Sequence, residues 1–260
     1  LEIVTYTLAG IVDEEKGWGV KNDTFHWLEM IQKYGYETWF KIGDKDLATH
    51  FYRTQLLKES YSLTEITRKI CHHLSLSIKI LPMTDDRFQT KIVTDKGIMH
   101  FQEYMVKRGA QDKVTNVLFD GVEKAKPAPE VINAILDAKL VIICPSNPIV
   151  SIGPILSVKK IRKALRETKA KVIAISPIIR GAPLKGPADK LMRGLGLEVS
   201  AYSVANMYRD FLDTFIIDDL DRDEKGKIEK LGLKVVVTNT IMKTLQDKIR
   251  LAETAIKSAV

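Results

Sequence analysis

Apolar residues at Leu1, Val4, Leu8 and Ile11 keep helical spacing. Asn22 or Asp23 stands where it can cap a segment running to Gly35, and Ser62-Leu-Thr-Glu65 is a capping box that opens another helix. The first quarter of the chain therefore reads as helices. From Ser77 the period changes to two. Ile78-Lys79-Ile80 and Phe88 to Thr94 alternate as strands do, Asp95-Lys96-Gly97 turns the second of these into Ile98-Met99-His100-Phe101, and Val114 to Asp120 adds a further strand. After Pro129 helices and strands alternate. The pattern predicts a helix over 129–138, a strand over 140–144, a helix from Ser157 to Glu167, a strand over 171–176 and a helix beginning near Pro187. A strand over 214–218, a helix after Asp223, a strand from Lys234 to Thr238 and a long C-terminal helix complete it.

Strand-helix alternation implies a mostly parallel sheet with helices on both faces, an α/β fold of Rossmann-like type. The expected organisation is a helical part over 1–76, a strand and hairpin insertion over 77–125, and the α/β core over 126–260, integrated as one domain. With 260 residues of which 45% are hydrophobic, the chain can fill such a core. No run approaches the roughly 18 apolar residues of a membrane span, and no basic-then-apolar leader precedes the first helical pattern, which leads us to expect a cytoplasmic protein. Cys71 and Cys144 lie in apolar surroundings without metal-type spacing and are expected in the core. The net charge of +7 is spread along helices rather than gathered in one run. It favours a solvated basic surface, or a field that attracts a phosphorylated small molecule, over nucleic-acid binding.

In an open parallel sheet, ligands bind beyond the carboxyl ends of the strands. Two such loops have unusual composition. Cys144 to Pro154 carries Ser146, Asn147 and Ser151, with Gly153 allowing backbone to approach a ligand. Ser176 to Pro187, SPIIRGAPLKGP, carries Arg180, Lys185 and two glycines just before a helix N-terminus, where backbone N–H groups suit phosphate. Plain turns and helix caps have the same composition, and the two readings stand about level.

Gly43-Asp44-Lys45-Asp46-Leu47-Ala48-Thr49-His50 sets two carboxylates at a helix entrance, either as caps or to hold a metal ion or orient a hydroxyl nucleophile; spacing favours caps. Leu81-Pro82-Met83-Thr84-Asp85-Asp86 runs an apolar segment into a carboxylate pair, compatible with magnesium bound alongside substrate phosphates and equally with a turn. His26, His72, His73 and His100 are read as ordinary histidines, and His50 stands out through its neighbours alone. Trp18, Trp27, Trp39 and Phe40 are read first as core and second as a wall for a planar ring. There is no G-x-S-x-G elbow, HExxH or Walker loop, so these residues unaided do not name a reaction.

Taken together, KIGDKDLATH at 41–50, LPMTDD at 81–86, PSNPIVSIGPIL at 145–156 and SPIIRGAPLKGPADKLM at 176–192 resemble, in order, the 2-phospho-L-lactate transferase family of coenzyme F420 biosynthesis. The resemblance implies a Rossmann-like homodimer. It also implies a magnesium-dependent reaction in which the deazaflavin alcohol Fo displaces GMP from lactyl-diphosphoguanosine, or from its enolpyruvyl counterpart. Carried over by residue, Ser146, Asn147, Ser151 and Gly153 match the nucleotide and diphosphate loop. Asp44, Lys45, Asp46, Thr49 and His50 match the Fo-side motif, with Asp44, Asp46 and His50 as catalytic candidates. Asp85 and Asp86 are metal or substrate contacts, and Arg180 and Lys185 substrate contacts. Glu2 stands where the family has a shorter Fo-contacting acid, Lys45 where arginine is frequent, and Arg180 where a small residue is usual. The family's glycine-rich opening segment is not part of this sequence. A second reading is a non-catalytic nucleotide-sugar-binding regulator of the related gluconeogenesis-factor type.

Overall fold

The helical spacing at the start of the chain becomes four helices in the computed structural model, which describes residues 1–259. Contacts divide the chain into two units, Leu1–Arg87 and Phe88–Val260. The first unit holds α1 (Glu2–Leu8), α2 (His26–Lys33), α3 (Asp44–Lys58) and α4 (Leu63–His73). The capping box opens α4 as expected. The Ser62 hydroxyl accepts from Glu65 N–H, and the Glu65 carboxylate accepts from Ser62 N–H at 2.8 Å. Tyr6, Val20, Ile42, Leu56, Ile66 and Cys71 are its buried hydrophobic residues.

Two expectations fail in this unit. Among its described residues there is no strand, only a single bridge between Val12 and Val20. Ile78-Lys79-Ile80 alternates but finds no partner strand, and Ile78 is left exposed. Trp18 and Phe40 are not core, since both are more than 40% exposed.

The second unit begins with a three-stranded antiparallel sheet of β1 (Gln89–Thr94), β2 (Gly97–His100) and β3 (Val114–Asp120), in the order β2-β1-β3. The hairpin pairs Thr94 with Gly97, whose φ of 111° is open to glycine. Then follow α5 (Val131–Leu136), β4 (Leu140–Ile143), α6 (Gly153–Ser157), α7 (Ile161–Glu167) and β5 (Lys171–Ile175). After a two-residue ribbon, β6 (Ile178–Ile179) and β7 (Ala182–Pro183), come α8 (Ala188–Gly194), α9 (Ala201–Tyr208), β8 (Thr214–Ile217), α10 (Lys225–Glu229), β9 (Lys234–Val237) and α11 (Leu245–Lys257).

Strands β4, β5, β8 and β9 form one parallel sheet in that order. The two central strands read as continuous apolar runs because both their faces are covered. Ile173, Ile175 and Ile216 pack with Leu251 and Ala255 of α11, while Val172, Ala174, Phe215 and Ile217, on the alternate positions, are buried as well. The helix expected from Ser157 to Glu167 begins only at Ile161, and a separate short helix, α6, ends at Ser157. Val158 turns extended to bury its side chain, and Lys160 takes a φ of 72° before α7 starts.

Candidate functional site

In the first unit, Asp23 and Asp44 exchange caps. Asp44 accepts from Trp27 N–H on one oxygen (3.1 Å) and from His26 N–H (3.1 Å) and the Thr24 hydroxyl (2.6 Å) on the other, so it caps α2 from a distance. The Thr24 bond first, then the two backbone bonds, hold its carboxyl below the ordinary range. Asp23, expected to cap the segment that follows it, instead accepts from Lys45 N–H (2.8 Å) and Asp46 N–H (3.2 Å) at the start of α3. A Cβ on Gly43 would collide with the Asp23 side chain, so the glycine before Asp44 is there for space. Asp44 is thus fully engaged in joining α2 to α3.

Asp46 has a different environment. Its Oδ1 accepts from the Tyr6 hydroxyl at 2.9 Å, and His50 Nε2 lies 3.5 Å from the same oxygen. Burial pushes the Asp46 carboxyl up, but the bonds from His50 and Tyr6 outweigh it and hold the carboxyl below its ordinary value. Burial raises the Tyr6 phenol well above its usual range; the bond with Thr49 opposes this and the bond to Asp46 adds to it. Tyr6 therefore remains a donor. On the far side of the ring, His50 Nδ1 lies 2.7 Å from Arg53 Nη2, and Arg53 Nη1 is paired with Glu2. The structure brings Glu2, Asp46 and His50 into one chain. The two links that sequence reasoning missed are Tyr6 and Arg53, although Arg53, three residues after His50 on α3, could have been read from helical spacing.

A cavity of about 590 Å³ opens beside this chain, and Tyr6, Lys45, Thr49, Tyr52, His73 and Ile70 are among its lining residues. Lys45 keeps its ammonium at the rim by donating to the carbonyls of Lys21 (3.2 Å) and Asn22 (2.7 Å). Tyr52 and His73 meet edge to face. These aromatics, rather than the tryptophans, form the wall.

Asp85 Oδ1 accepts from both the backbone (2.7 Å) and the hydroxyl (2.8 Å) of Thr64 and so secures the first turn of α4. Asp86 bonds through its N–H to the Thr84 hydroxyl at 3.1 Å. Among the described residues no three metal-ligating side chains cluster. Two adjacent carboxylates are of the chemical type that suits a hard cation, but Asp85 Oδ1 is already committed to Thr64.

In the second unit, the two candidate loops leave the carboxyl ends of the neighbouring parallel strands β4 and β5. The Asn147 side chain accepts from the N–H groups of Ile149 (2.9 Å) and Val150 (3.2 Å), and its own carbonyl accepts from Ser151 and Ile152 N–H, closing a π-type turn over Pro148–Ile152. Pro148, Ile149 and Pro154 are buried beneath it. Gly153 has ordinary helical backbone angles; a Cβ there would press on the Pro148 carbonyl at 3.0 Å and the Phe119 ring at 3.4 Å, so this glycine serves packing. The Ser146 and Ser151 side chains are half-buried and make no hydrogen bond among the described residues. Cys144, expected in the core, is exposed at the head of the loop, whereas Cys71 is buried as expected.

The Ser176–Pro187 loop holds the ribbon the sequence reading missed. Arg180 (φ 50°) and Gly181 (φ 71°) both sit in the left-handed region, the backbone of a type I′ turn between Ile179 and Ala182. Arg180 accepts this conformation because its N–H donates to Asp221 Oδ1 at 2.8 Å. The other Asp221 oxygen is buried without a partner among the described residues, and burial raises its carboxyl above the ordinary range, with Asp218 and Asp223 adding to the effect. Lys185 lies exposed beyond the ribbon, one residue before Gly186 at φ 78°. Helix α8, which follows, packs against the π-type turn.

Comparison with known proteins supplies the remaining evidence. The sequence profile of the family described as 2-phospho-L-lactate transferase CofD matches residues 2–255. A 2-phospho-L-lactate transferase of Methanosarcina mazei is 40% identical over 99% of this chain and 84% of its own length. One from Methanocaldococcus jannaschii is 39% identical over 99% and 82%. A phosphoenolpyruvate transferase of Streptomyces coelicolor is 37% identical over all of this chain and 83% of its own. Among solved structures, a member of the UPF0052 family from Bacillus halodurans has a similar fold, with a TM-score of 0.60 at 14% identity over 97% of this chain and 82% of that one.

Proposed function

The chain belongs to the 2-phospho-L-lactate transferase CofD family and is a transferase, and from that premise we propose that it joins a 2-phospho-L-lactyl or enolpyruvyl phosphate group, taken from a guanosine diphosphate-linked donor, to the hydroxyl of the deazaflavin Fo, with release of GMP. The observation that carries this reading is the cavity of about 590 Å³ in the first unit, of a size for one drug-sized molecule, walled by aromatic side chains and joined through Tyr6 to the Asp46–His50 pair. The ring system of Fo lies in this cavity and Asp46 accepts the proton of its attacking ribityl hydroxyl. In the second unit the Ser146 and Ser151 hydroxyls and the rigid turn behind them bind the donor's diphosphate, with Arg180 and Lys185 adding positive charge. Because the leaving group is a phosphate ester, the chain needs no covalent nucleophile. Positioning and charge stabilisation carry the rate.

Asp85 and Asp86 would hold magnesium together with substrate phosphate. When bound there, the ion would neutralise charge on that phosphate. On the family resemblance the protein works as a homodimer in the cytoplasm. The test supplies Fo, magnesium and each guanylyl donor and follows GMP by chromatography. GMP released in step with consumption of Fo is expected with one donor at least, and no release with either donor would end the proposal.

A further inference from the structure

We propose that Arg53 is a positioning residue: bridging Glu2 and His50, it holds the His50 ring with its proton on Nε2, facing Asp46. A guanidinium has five N–H donors and no acceptor, so the 2.7 Å contact between Arg53 Nη2 and His50 Nδ1 makes Nδ1 the accepting nitrogen. The single ring proton of His50 then sits on Nε2, the nitrogen 3.5 Å from Asp46 Oδ1. The opposite tautomer would aim a lone pair at the carboxylate and a proton at the guanidinium, and both contacts would be lost.

The second arm of the Arg53 fork fixes the first. Its Nη1 is held by Glu2, on α1, and Tyr6, four residues later on the same helix, returns to Asp46. Asp46, His50 and Arg53 follow one another at spacings of four and three along α3, one face of that helix. The result is a closed ring of contacts between two helices in which each partner's direction is dictated by the next. Both the Tyr6 and the His50 contacts fall on Asp46 Oδ1, and Oδ2 takes no hydrogen bond among the described residues. Arg53 thus keeps Oδ2 as the basic oxygen without touching it. A lysine at 53 would supply charge but could not span both partners with a planar fork.

This inference rests on the reading of Asp46 as proton acceptor, and its test is readable without turnover. Long-range nitrogen–proton correlation on histidine-labelled protein, with the His50 signals assigned from a His50→Gln variant, reports which ring nitrogen carries the proton and whether the other accepts a hydrogen bond. In the wild type Nε2 is expected protonated and Nδ1 shifted by the guanidinium bond. In Arg53→Met that Nδ1 shift is expected to vanish, and kcat to fall about ten- to a hundredfold with KM for Fo little changed. Glu2→Gln, which leaves the Arg53 side chain in place but loosens it, is expected to move both readouts in the same direction by less, and it serves if Arg53→Met does not fold. A proton on Nδ1 in the wild type, an Nδ1 signal indifferent to both substitutions, or an unchanged kcat overturns the proposal. If His50 shows the expected ring state but no donor yields transfer to Fo, the functional reading falls and the ring assignment stands.

Discussion

The two regions that carry the candidate residues are built on opposite plans. In the first unit, Glu2, Asp46, His50 and the added Tyr6 and Arg53 hold one another through side-chain contacts, so each residue's direction depends on its neighbours. In the second, Asn147 and two buried prolines hold a backbone turn, and the hydroxyls of Ser146 and Ser151 are carried on it unengaged. On the proposed reading, the side-chain ring would prepare a proton acceptor, whose basicity and aim both matter, and the backbone turn a binding surface, whose groups must be unoccupied until the ligand arrives. Substitutions in the first region should therefore appear in kcat, and those in the second in donor affinity.

The largest expected effect is that of Asp46→Asn. The amide still accepts from Tyr6 but cannot take a proton, so kcat should drop by about a hundredfold or more, while the melting temperature falls by less than in Asp23→Ala because only the charge-dependent part of the Tyr6 and His50 contacts is lost. A stopped assay of GMP release beside a thermal melt checks both halves. Asp23→Ala makes the complementary case, because Asp23 supports the same helix only as a cap. Losing acceptors for the Lys45 and Asp46 N–H groups should cost about 1–2 kcal/mol and lower the melting temperature by about 5 °C. If Asp46→Asn lowers the melting temperature as far as Asp23→Ala does, the distinction between ring and cap collapses.

That distinction was hidden in the sequence for a physical reason. Ser62 and Glu65 could be read as a capping box because both partners lie within one turn, and the buried strands Lys171–Ile175 and Thr214–Ile217 because their apolar runs are continuous. Asp23 and Asp44 looked like caps for the segments that follow them, yet the chain crosses them over through contacts about twenty residues apart, which no local pattern encodes. Ile78-Lys79-Ile80 shows the converse: alternation is a local property, but a strand needs a partner. The helix Ala201–Tyr208 was legible and missed, since Ser200 caps it through Ser203 N–H and Ala201, Val204, Ala205 and Tyr208 fall on one buried face. Of the candidate site, the motifs supplied only candidate residues. Only coordinates separated Asp44, a cap, from Asp46, two positions on.

In the second region Asn147→Ala is a poor probe, since it removes the acceptor for Ile149 and Val150 N–H and loosens the turn whether or not a ligand binds there. Ser151→Ala removes a hydroxyl the fold does not use. Losing one neutral hydrogen bond to the donor should raise donor KM by about three- to tenfold, with kcat and the melting temperature unchanged. A donor KM equal to wild type for both Ser146→Ala and Ser151→Ala would return the loop to a plain helix entrance.

The smallest expected effect tests how the Arg180 turn is held. Asp221 receives Arg180 N–H on one oxygen, while the other is buried and unpaired, and burial raises its carboxyl above the ordinary range. Between the ordinary aspartate value and that raised value the unfolded chain is ionised while the folded chain keeps the proton. The stability this group contributes is therefore present at low pH and lost as pH rises through its folded value. Asp221→Asn keeps an acceptor for Arg180 N–H and cannot ionise. Its melting temperature should match wild type below the ordinary aspartate range and exceed it by about 2 °C at neutral pH. The catalytic parameters should not change, because the Arg180 turn is kept. A melting temperature that falls at neutral pH would mean the Asp221 charge is itself a partner of the turn, and the backbone plan of this region would then share the side-chain logic of the first.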